Sequence, residues 1–566
     1  MGYRLMKTFF NALALNFIFI LSIQASLLED LPEIQFESFK LDNGLTVIVH
    51  EDKKVPMVAV NVWYHVGSKN EKVGKTGFAH LFEHLMFNGT ENYNNEYFEP
   101  FEKIGSTDQN GTTNSDRTNY FQNVPTNALD LALWMESDRM GHLLGVVDQE
   151  KLDEQRGVVQ NEKRQGENQP YGKAFTAISE SAFPKGHPYS WTTIGSMEDL
   201  DAASLEDVQD WFKTYYGPNN AVLALAGDID LETAKAKVTK FFGDIPAGPP
   251  LIKPERWIAK RLEEKREVMF DNVPQARIYK IWNVPERDTE AAAHFDLASS
   301  ILVGGKNSPL YKELVYEKQI ATNVSSFYYD REIAGMFFIT ADVVAGVDPA
   351  IVEQSMDEVM EAFIKKGPST KLLKAEKTKA IAGFIRGIQR IGGFGGKSDL
   401  LATCQTYTGN PGCYQESAKY LDAATSSKIK ATFAEWIDDT PYVLTILPSD
   451  QYGLSDESVD RSTGVPYPTE KVSFKFPTLQ TATLSNGAKV VLAQRSDVPL
   501  VEMNFQFNFG YAQENNDELG FTNFMMDMLN EGTRKYSSLE FDQILDSLGS
   551  NIGFGSGLDS SFVSIS

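Results

Sequence analysis

The start of this chain recurs near its end, and that recurrence limits the folds open to it. At a constant offset of 443 residues, Leu41, Asn43, Gly44, Val47, Pro56, Gly67, Glu71, Gly77, Phe78, Gly89, Thr90, Tyr93 and Phe98 meet Leu484, Asn486, Gly487, Val490, Pro499, Gly510, Glu514, Gly520, Phe521, Gly532, Thr533, Tyr536 and Phe541, with no gap. Turn glycines and apolar positions are what a duplicated scaffold keeps. The chain is therefore expected to be built from repeated units, with a further copy opening at 475–566. Roughly ninety residues of that copy precede Ser566, too few to close a core. The sequence thus reads as truncated, with a C-terminal half of the same protein missing.

At 566 residues there is room for about three or four domains. The composition, 42% hydrophobic and 23% charged, is that of a globular protein. The net charge of −24 comes with no basic stripe, which excludes a nucleic-acid partner. An acidic field attracts cationic peptides, but solubility is the simpler reading of it. Residues 1–25 read as a signal peptide: Arg4 and Lys7, an apolar run from Phe9 to Ile23, then Ala25. The protein is thus expected to be exported, periplasmic or secreted, and membrane-anchored if that segment is not cleaved. Cys404 and Cys413 bracket a short Pro/Gly stretch, and in an exported protein they read as a disulfide. Metal binding is the less supported reading, because no His or further Cys is close in sequence.

Pattern and turn signals give two α+β units. The first, 33–245, holds strands near 40–50, 58–66, 119–124 and 221–226, and helices near 127–144, 148–165, 204–216 and 231–242. Ser204-Leu-Glu-Asp207 reads as a capping box. Residues 105–119 read as a polar Gly/Thr/Asn stretch. Pro246-Ala-Gly-Pro-Pro250 breaks the pattern. The second unit, 255–447, holds strands near 265–271, 276–282, 320–342 and 442–447, with helices at 289–303, 308–317, 350–390 and 415–437. A polar linker follows at 448–473. Arg390-Ile-Gly-Gly-Phe-Gly-Gly-Lys-Ser398 resembles a phosphate loop, but Ile391 stands where the first glycine is required, so it reads as a flexible loop between helices.

One short stretch carries chemistry. Residues 77–89 read as a helix that Thr76 caps and Asn88-Gly89 ends. Phe78, Leu81, Phe82 and Leu85 would face a core. His80, Glu83, His84 and Phe87 fall at i, i+3, i+4 and i+7 and share the other face. Two imidazoles one turn apart can grip one metal ion, and the carboxylate between them can reach a water beside it; this is the H-x-x-E-H pattern. Zinc with an open position needs a third protein ligand, and Glu162, late in a predicted helix, is the candidate. His50, His65, His142, His187 and His294 stand alone and read as core or surface residues.

Residues 36–450 resemble the pitrilysin-type zinc peptidases, the inverzincin group that includes insulin-degrading enzyme and the mitochondrial processing peptidase, and in particular their exported bacterial members. The resemblance rests on His80-x-x-Glu83-His84, on Arg-x-Val-Val-x-x-Glu162, and on Gly105 through Asn110-Gly-Thr-Thr113, Asp116, Thr118 and Tyr120. It implies repeated domains of mixed sheet plus helices arranged as a two-half clamshell. It implies one Zn2+ per chain on His80, His84 and Glu162, with Glu83 as general base. Asn110, Gly111, Thr112 and Thr113 would bind substrate, accepting a peptide as an added strand. Where the family commonly has a second glutamate, this chain has Gln155 with Glu154 beside it, and either is a candidate for orienting a ligand. In the second unit Pro309 replaces the family's substrate-reaching arginine, and Thr322 stands near its tyrosine. The implied function is zinc-dependent endopeptidase action on peptides or unfolded polypeptides. The alternatives are a noncatalytic peptide-binding or assembly protein, or a subunit active only with a partner chain as a homo- or hetero-dimer. Copy two has Asn523, Met526 and Asp527 where copy one has His80, Glu83 and His84, so no second zinc site is expected there.

Overall fold

The computed structural model describes residues 31–437, 440–449, 479–494 and 500–566. The expected signal peptide and nearly all of the expected 448–473 linker lie outside the described residues. The first unit is a six-stranded sheet of β1 (Glu37–Lys40), β2 (Thr46–Glu51), β3 (Met57–Tyr64), β4 (Thr107–Thr113), β5 (Thr118–Pro125) and β6 (Ala221–Gly227), in the order β1-β2-β6-β3-β5-β4. Only the β2–β6 pairing is parallel; β4 stands at the edge. One face packs on helices α1 (Phe78–Leu85), α2 (Leu129–Gly141), α3 (Gln149–Asn168), α4 (Leu205–Tyr215) and α5 (Leu231–Phe242). Ser204 and Asp207 form the expected capping box of α4.

The second unit repeats this plan. Its strands are β7 (Lys265–Asp271), β8 (Arg277–Val284), β9 (Ala321–Tyr329), β10 (Gly335–Val343) and β11 (Tyr442–Pro448), in the order β7-β11-β8-β10-β9. Here the first strand, β7, pairs in parallel with the last, β11, as β2 does with β6 in the first unit, and the others are antiparallel. Helices α6 (Glu290–Val303), α7 (Pro349–Lys366), α8 (Thr370–Gly387), α9 (Lys397–Thr408) and α10 (Ser426–Trp436) belong to it, and a π-helical stretch, Tyr311–Glu317, stands where a longer helix is expected.

The repeat at offset 443 is structural. The third stretch has a hairpin of β12 (Gln480–Thr483) and β13 (Lys489–Leu492), then β14 (Met503–Phe507), β15 (Ile552–Ser556) and β16 (Ser561–Ile565) in the order β14-β16-β15, matching β3-β5-β4. Its helix α11 (Phe521–Met528) reproduces α1 residue for residue, down to the positive φ of the glycine before each: 84° at Gly77 and 90° at Gly520. Helix α12 (Ser538–Leu548) packs against α8; there Lys379 pairs with Asp546, and Arg386 Nη2 donates to the Gly549 carbonyl at 3.0 Å.

The two complete units exchange helices. Ala174–Ala182, from the first unit, buries Ala174, Ile178 and Ala182 against Ile281, Phe338 and Leu444 of the second sheet. In return α9 lays Leu401, Ala402 and Cys404 on Ile48, Trp63, Val222 and Ala224 of the first. Cys404 is disulfide-bonded to Cys413 just beyond this helix.

Residues 107–113, within the polar Gly/Thr/Asn stretch, form a strand: pairing with β5 satisfies one side of its backbone, and at an edge polar Thr and Asn side chains remain solvated. Two sequence expectations are corrected. Thr76 does not cap α1; its hydroxyl and N–H both donate to Asp199 Oδ2, at 2.6 and 2.9 Å. The glycine-rich run is held against the first unit, with Lys397 Nζ donating to Asp52 at 2.9 Å, rather than looping freely.

A charged cluster joins the units. The buried Lys69 ammonium lies between Asp116, 3.2 Å away, and Glu332 of the second unit, and His65 Nε2 is 2.7 Å from Glu332 Oε2. The Glu332 N–H donates to Asp116 Oδ2 at 3.1 Å. Burial alone would raise the Glu332 carboxyl, but the His65 hydrogen bond and the Lys69 charge outweigh it and hold it at about 2. A carboxyl depressed in the folded state contributes stability above its unfolded pKa, and that stability is lost as pH falls toward the folded value. Stability is therefore expected to drop by about 3 kcal/mol between about pH 4.5 and pH 2 through this group. Denaturant titrations over that range should show a shallower acid dependence in Glu332→Gln; an unchanged slope would refute the assignment.

Candidate metal centre

Helix α1 is placed by its first turn. Gly77 adopts φ 84°, and a Cβ there would lie 2.5 Å from the Ile194 carbonyl oxygen, so only glycine fits. The free N–H groups of the helix start are met by a buried carboxylate: Glu71 accepts from Gly77 N–H at 3.1 Å and Ala79 N–H at 2.8 Å. Phe78, Leu81, Phe82 and Leu85 are buried in the core, which turns the opposite face toward α3 and β4. Phe87 lies past the last helical residue and packs against Phe98 and Tyr120.

On the outward face three donors converge. His80 Nε2 and His84 Nε2 are 3.3 Å apart; Glu162 Oε2, from α3, is 3.7 Å from the first and 3.5 Å from the second. Ligands about 2.0–2.2 Å from one ion in tetrahedral arrangement stand roughly 3.3–3.5 Å apart. The donor set therefore fits a single zinc ion in spacing and in chemistry. Among the described residues, these three are the only His/Cys/Asp/Glu group gathered this closely. Burial, with the neighbouring His84 ring, pulls the His80 pKa down to about 4, which leaves a neutral imidazole able to coordinate. The Glu162 side chain is 42% exposed, so the centre opens to solvent on that side.

Glu83 points inward beside the donors. It is buried, and its Oε2 has no hydrogen-bond partner among the described residues. Burial pushes its carboxyl up to about 7, against the hydrogen bond from Thr113 and the Arg117 charge, with Glu162 adding to the rise. Thr113 ends β4, so the edge strand and the buried acid meet at one point. On the same strand Asn110 Oδ1 accepts from the Gly111 N–H at 2.9 Å, and Thr112 Oγ1 donates to Asn119 Oδ1 at 2.5 Å.

Other sequence candidates lie elsewhere. Glu154 is exposed on α3 and Gln155 is buried; neither belongs to the three-donor group. Thr322 Oγ1 accepts from Gln275 Nε2 at 2.8 Å in the second unit. His187 orders a turn by accepting from Tyr189 N–H at 3.0 Å. His50 and His294 are buried, contacting the Gln35 carbonyl and the Thr432 hydroxyl. Arg117 was not singled out from sequence; its guanidinium binds the Thr112 carbonyl at 2.8 Å and covers the Trp63 ring, and only the fold brings it near Glu83.

Helix placement is testable apart from any activity. Glu71→Ala would leave two buried N–H groups unmet and is expected to cost about 1–3 kcal/mol per orphaned group. Zinc titration of this variant should show weaker binding with all three donors intact, and undiminished affinity would refute the role of Glu71.

The chain is similar to known proteins along much of its length. Residues 46–194 match the family description Insulinase (Peptidase family M16), and residues 202–380 match Peptidase M16 inactive domain. The chain is 28% identical over 371 residues to the zinc protease PqqE of Helicobacter pylori, covering 65% of this chain and 82% of that one. It is 25% identical to the mitochondrial-processing peptidase subunit beta of Saccharomyces cerevisiae, over 61% of this chain and 76% of that one. Among solved structures, a protease from Helicobacter pylori matches with a TM-score of 0.67 at 24% identity, over 74% of this chain and all of that one. The periplasmic protease PqqL of Escherichia coli matches with a TM-score of 0.60 at 16% identity, over 95% of this chain and 64% of that one. With its α+β units of mixed sheet and helices, the chain belongs to the M16 peptidase family.

Proposed function

We propose that this protein is an exported zinc-dependent endopeptidase acting on peptides or unfolded polypeptides, with the centre on α1 and α3 as its active site. The observation that carries this reading is the convergence of His80, His84 and Glu162 beside a buried, unpartnered Glu83 oxygen. His80, His84 and Glu162 would hold one zinc ion. When bound, zinc supplies Lewis acidity that makes water a nucleophile near neutral pH and polarises a carbonyl.

The chain's own residues do the rest. The exposed edge of β4 takes the substrate backbone as an added strand, with Asn110 to Thr113 fixing its register. Glu83 Oε2 takes a proton from the attacking water as the C–O bond forms, then delivers it to the leaving amine nitrogen as the C–N bond breaks. Thr113, at the end of β4, lies beside Glu83. The reading extends to an exported, periplasmic location, in keeping with the basic-apolar start of the sequence. For the third stretch the noncatalytic alternative is favoured, because α11 presents Asn523, Met526 and Asp527 at the corresponding positions.

The test is Glu83→Gln in the full chain. It should retain one zinc per chain and lose peptide cleavage by at least about a hundredfold. Chelation should abolish wild-type cleavage, and added zinc should restore it. Full activity in either Glu83→Gln or the metal-free protein would reject the mechanism, while zinc binding without any cleavage would favour a binding protein.

A further inference from the structure

The glycine-rich run between α8 and α9 belongs to the second unit but lies on the first sheet, on the face opposite α1. Its close approach depends on missing side chains: a Cβ on Gly392 would lie 2.0 Å from Asn123 Oδ1 and 2.7 Å from the Ala59 Cβ, and Gly393 has φ 71° beside Asp108. The run is tied down. Gly395 N–H donates to Asp399 Oδ2 at 2.9 Å, Arg390 Nη2 to the Phe394 carbonyl at 2.6 Å, and Lys397 N–H to the Arg390 carbonyl at 2.9 Å. At its tip Phe394 packs edge-on against Phe121 at 5.0 Å, yet half its surface is exposed. A large apolar ring held this firmly, half in water, beside a strand edge that no described strand pairs with is a feature that packing alone does not require.

Strand register says what would meet it. Phe121 pairs with Asn110, and Thr112 pairs with Asn119. Asn119 and Phe121 share a face with Trp63, while Gly111 and Tyr120 turn to the α1 side, where Phe87 packs on both. A peptide added along β4 would alternate in the same way. Its residue opposite Thr113 would point to the metal side. Its residue opposite Asn110 would point to the Phe394 side. In antiparallel pairing that second residue lies three positions toward the peptide's C-terminus, roughly 10 Å along the strand. The neighbours on that face of β4, Asp108, Asn110 and Thr112, have short side chains, and Arg117 covers Trp63 at the Thr112 end.

We propose that Phe394, supplied by the second unit, is a specificity-determining residue that favours a large apolar side chain at the substrate position paired with Asn110. The inference rests on the peptidase reading, with β4 as the substrate strand. It differs from that reading in assigning a preference, at one position, to a residue distant in sequence from the metal motif. Phe394 touches the substrate side chain only and takes no part in the proton transfers of Glu83.

The experiment uses the full zinc-loaded chain and peptide sets in which one position at a time is Leu, Phe, Ser or Asp. Wild-type protein should prefer Leu or Phe over Ser at one position about three residues from that opposite Thr113. In Phe394→Ala the ratio of kcat/KM for Leu over Ser peptides should fall about tenfold at that position alone, and Phe394→Leu should keep most of it. Binding of the same peptides to zinc-loaded Glu83→Gln, with and without Phe394→Ala, should change in the same direction without any turnover. An unchanged ratio in Phe394→Ala at every position would overturn the proposal, as would a uniform loss on all peptides that Phe394→Leu shares. Absence of cleavage by the wild type would instead count against the peptidase reading, and the binding measurement would still decide the role of Phe394.

Discussion

The convergence of His80, His84 and Glu162 depends on how one short helix begins. Eight residues cannot form a stable helix alone, and α1 starts from a left-handed glycine with no side-chain cap on its own first residue. Glu71, buried and pushed up by that burial, accepts the two N–H groups that the first turn leaves free. Four buried apolar side chains then fix rotation about the helix axis. With start and rotation set, His80 and His84 can only emerge one turn apart on the same side. The third stretch tests this logic internally. Glu514 accepts from Gly520 and Thr522 N–H at 2.7 and 2.6 Å, although that helix carries no imidazole. The carboxylate therefore belongs to the scaffold, and the ligand residues are an addition to it.

Much of this was legible in the sequence because it is local or periodic. Ligand spacing on α1, the apolar face behind it, the capping box at Ser204 and the offset repeat all follow from residue types at fixed separations. Glu162 was legible as a candidate third ligand, and the family resemblance supported it, but nothing local says that α3 runs past α1. The edge strand β4 is rich in Thr, Asn and Gly, which in isolation signal a turn; only the resemblance pointed to a strand there, and its strand character comes from β5, several residues away. The cap assigned to Thr76 failed, because its hydroxyl went to a distant acid, Asp199, that the fold delivers. In both places tertiary contacts override local preference.

The exchange of helices between units was not legible either, and it has the larger functional reach. The turn joining β4 to β5 carries Asp116, whose carboxylate receives Lys69, the Tyr189 hydroxyl and the Glu332 N–H. Its neighbour Arg117 reaches back to the Thr112 carbonyl on the edge strand. The strand proposed to hold substrate is thus clamped at its metal end by a cluster that includes a residue of the second unit. At its other end, Gly393 of the glycine-rich run sits beside Asp108. A first unit isolated from the second would keep its three donors on α1 and α3, but it would lose the groups that fix where β4 lies. Positioning of a reacting carbonyl is sensitive to displacements of about 1 Å. The second unit carries no cluster of metal donors among its described residues; what it gives the first unit is contacts at both ends of β4, through Glu332 at Asp116 and Gly393 beside Asp108.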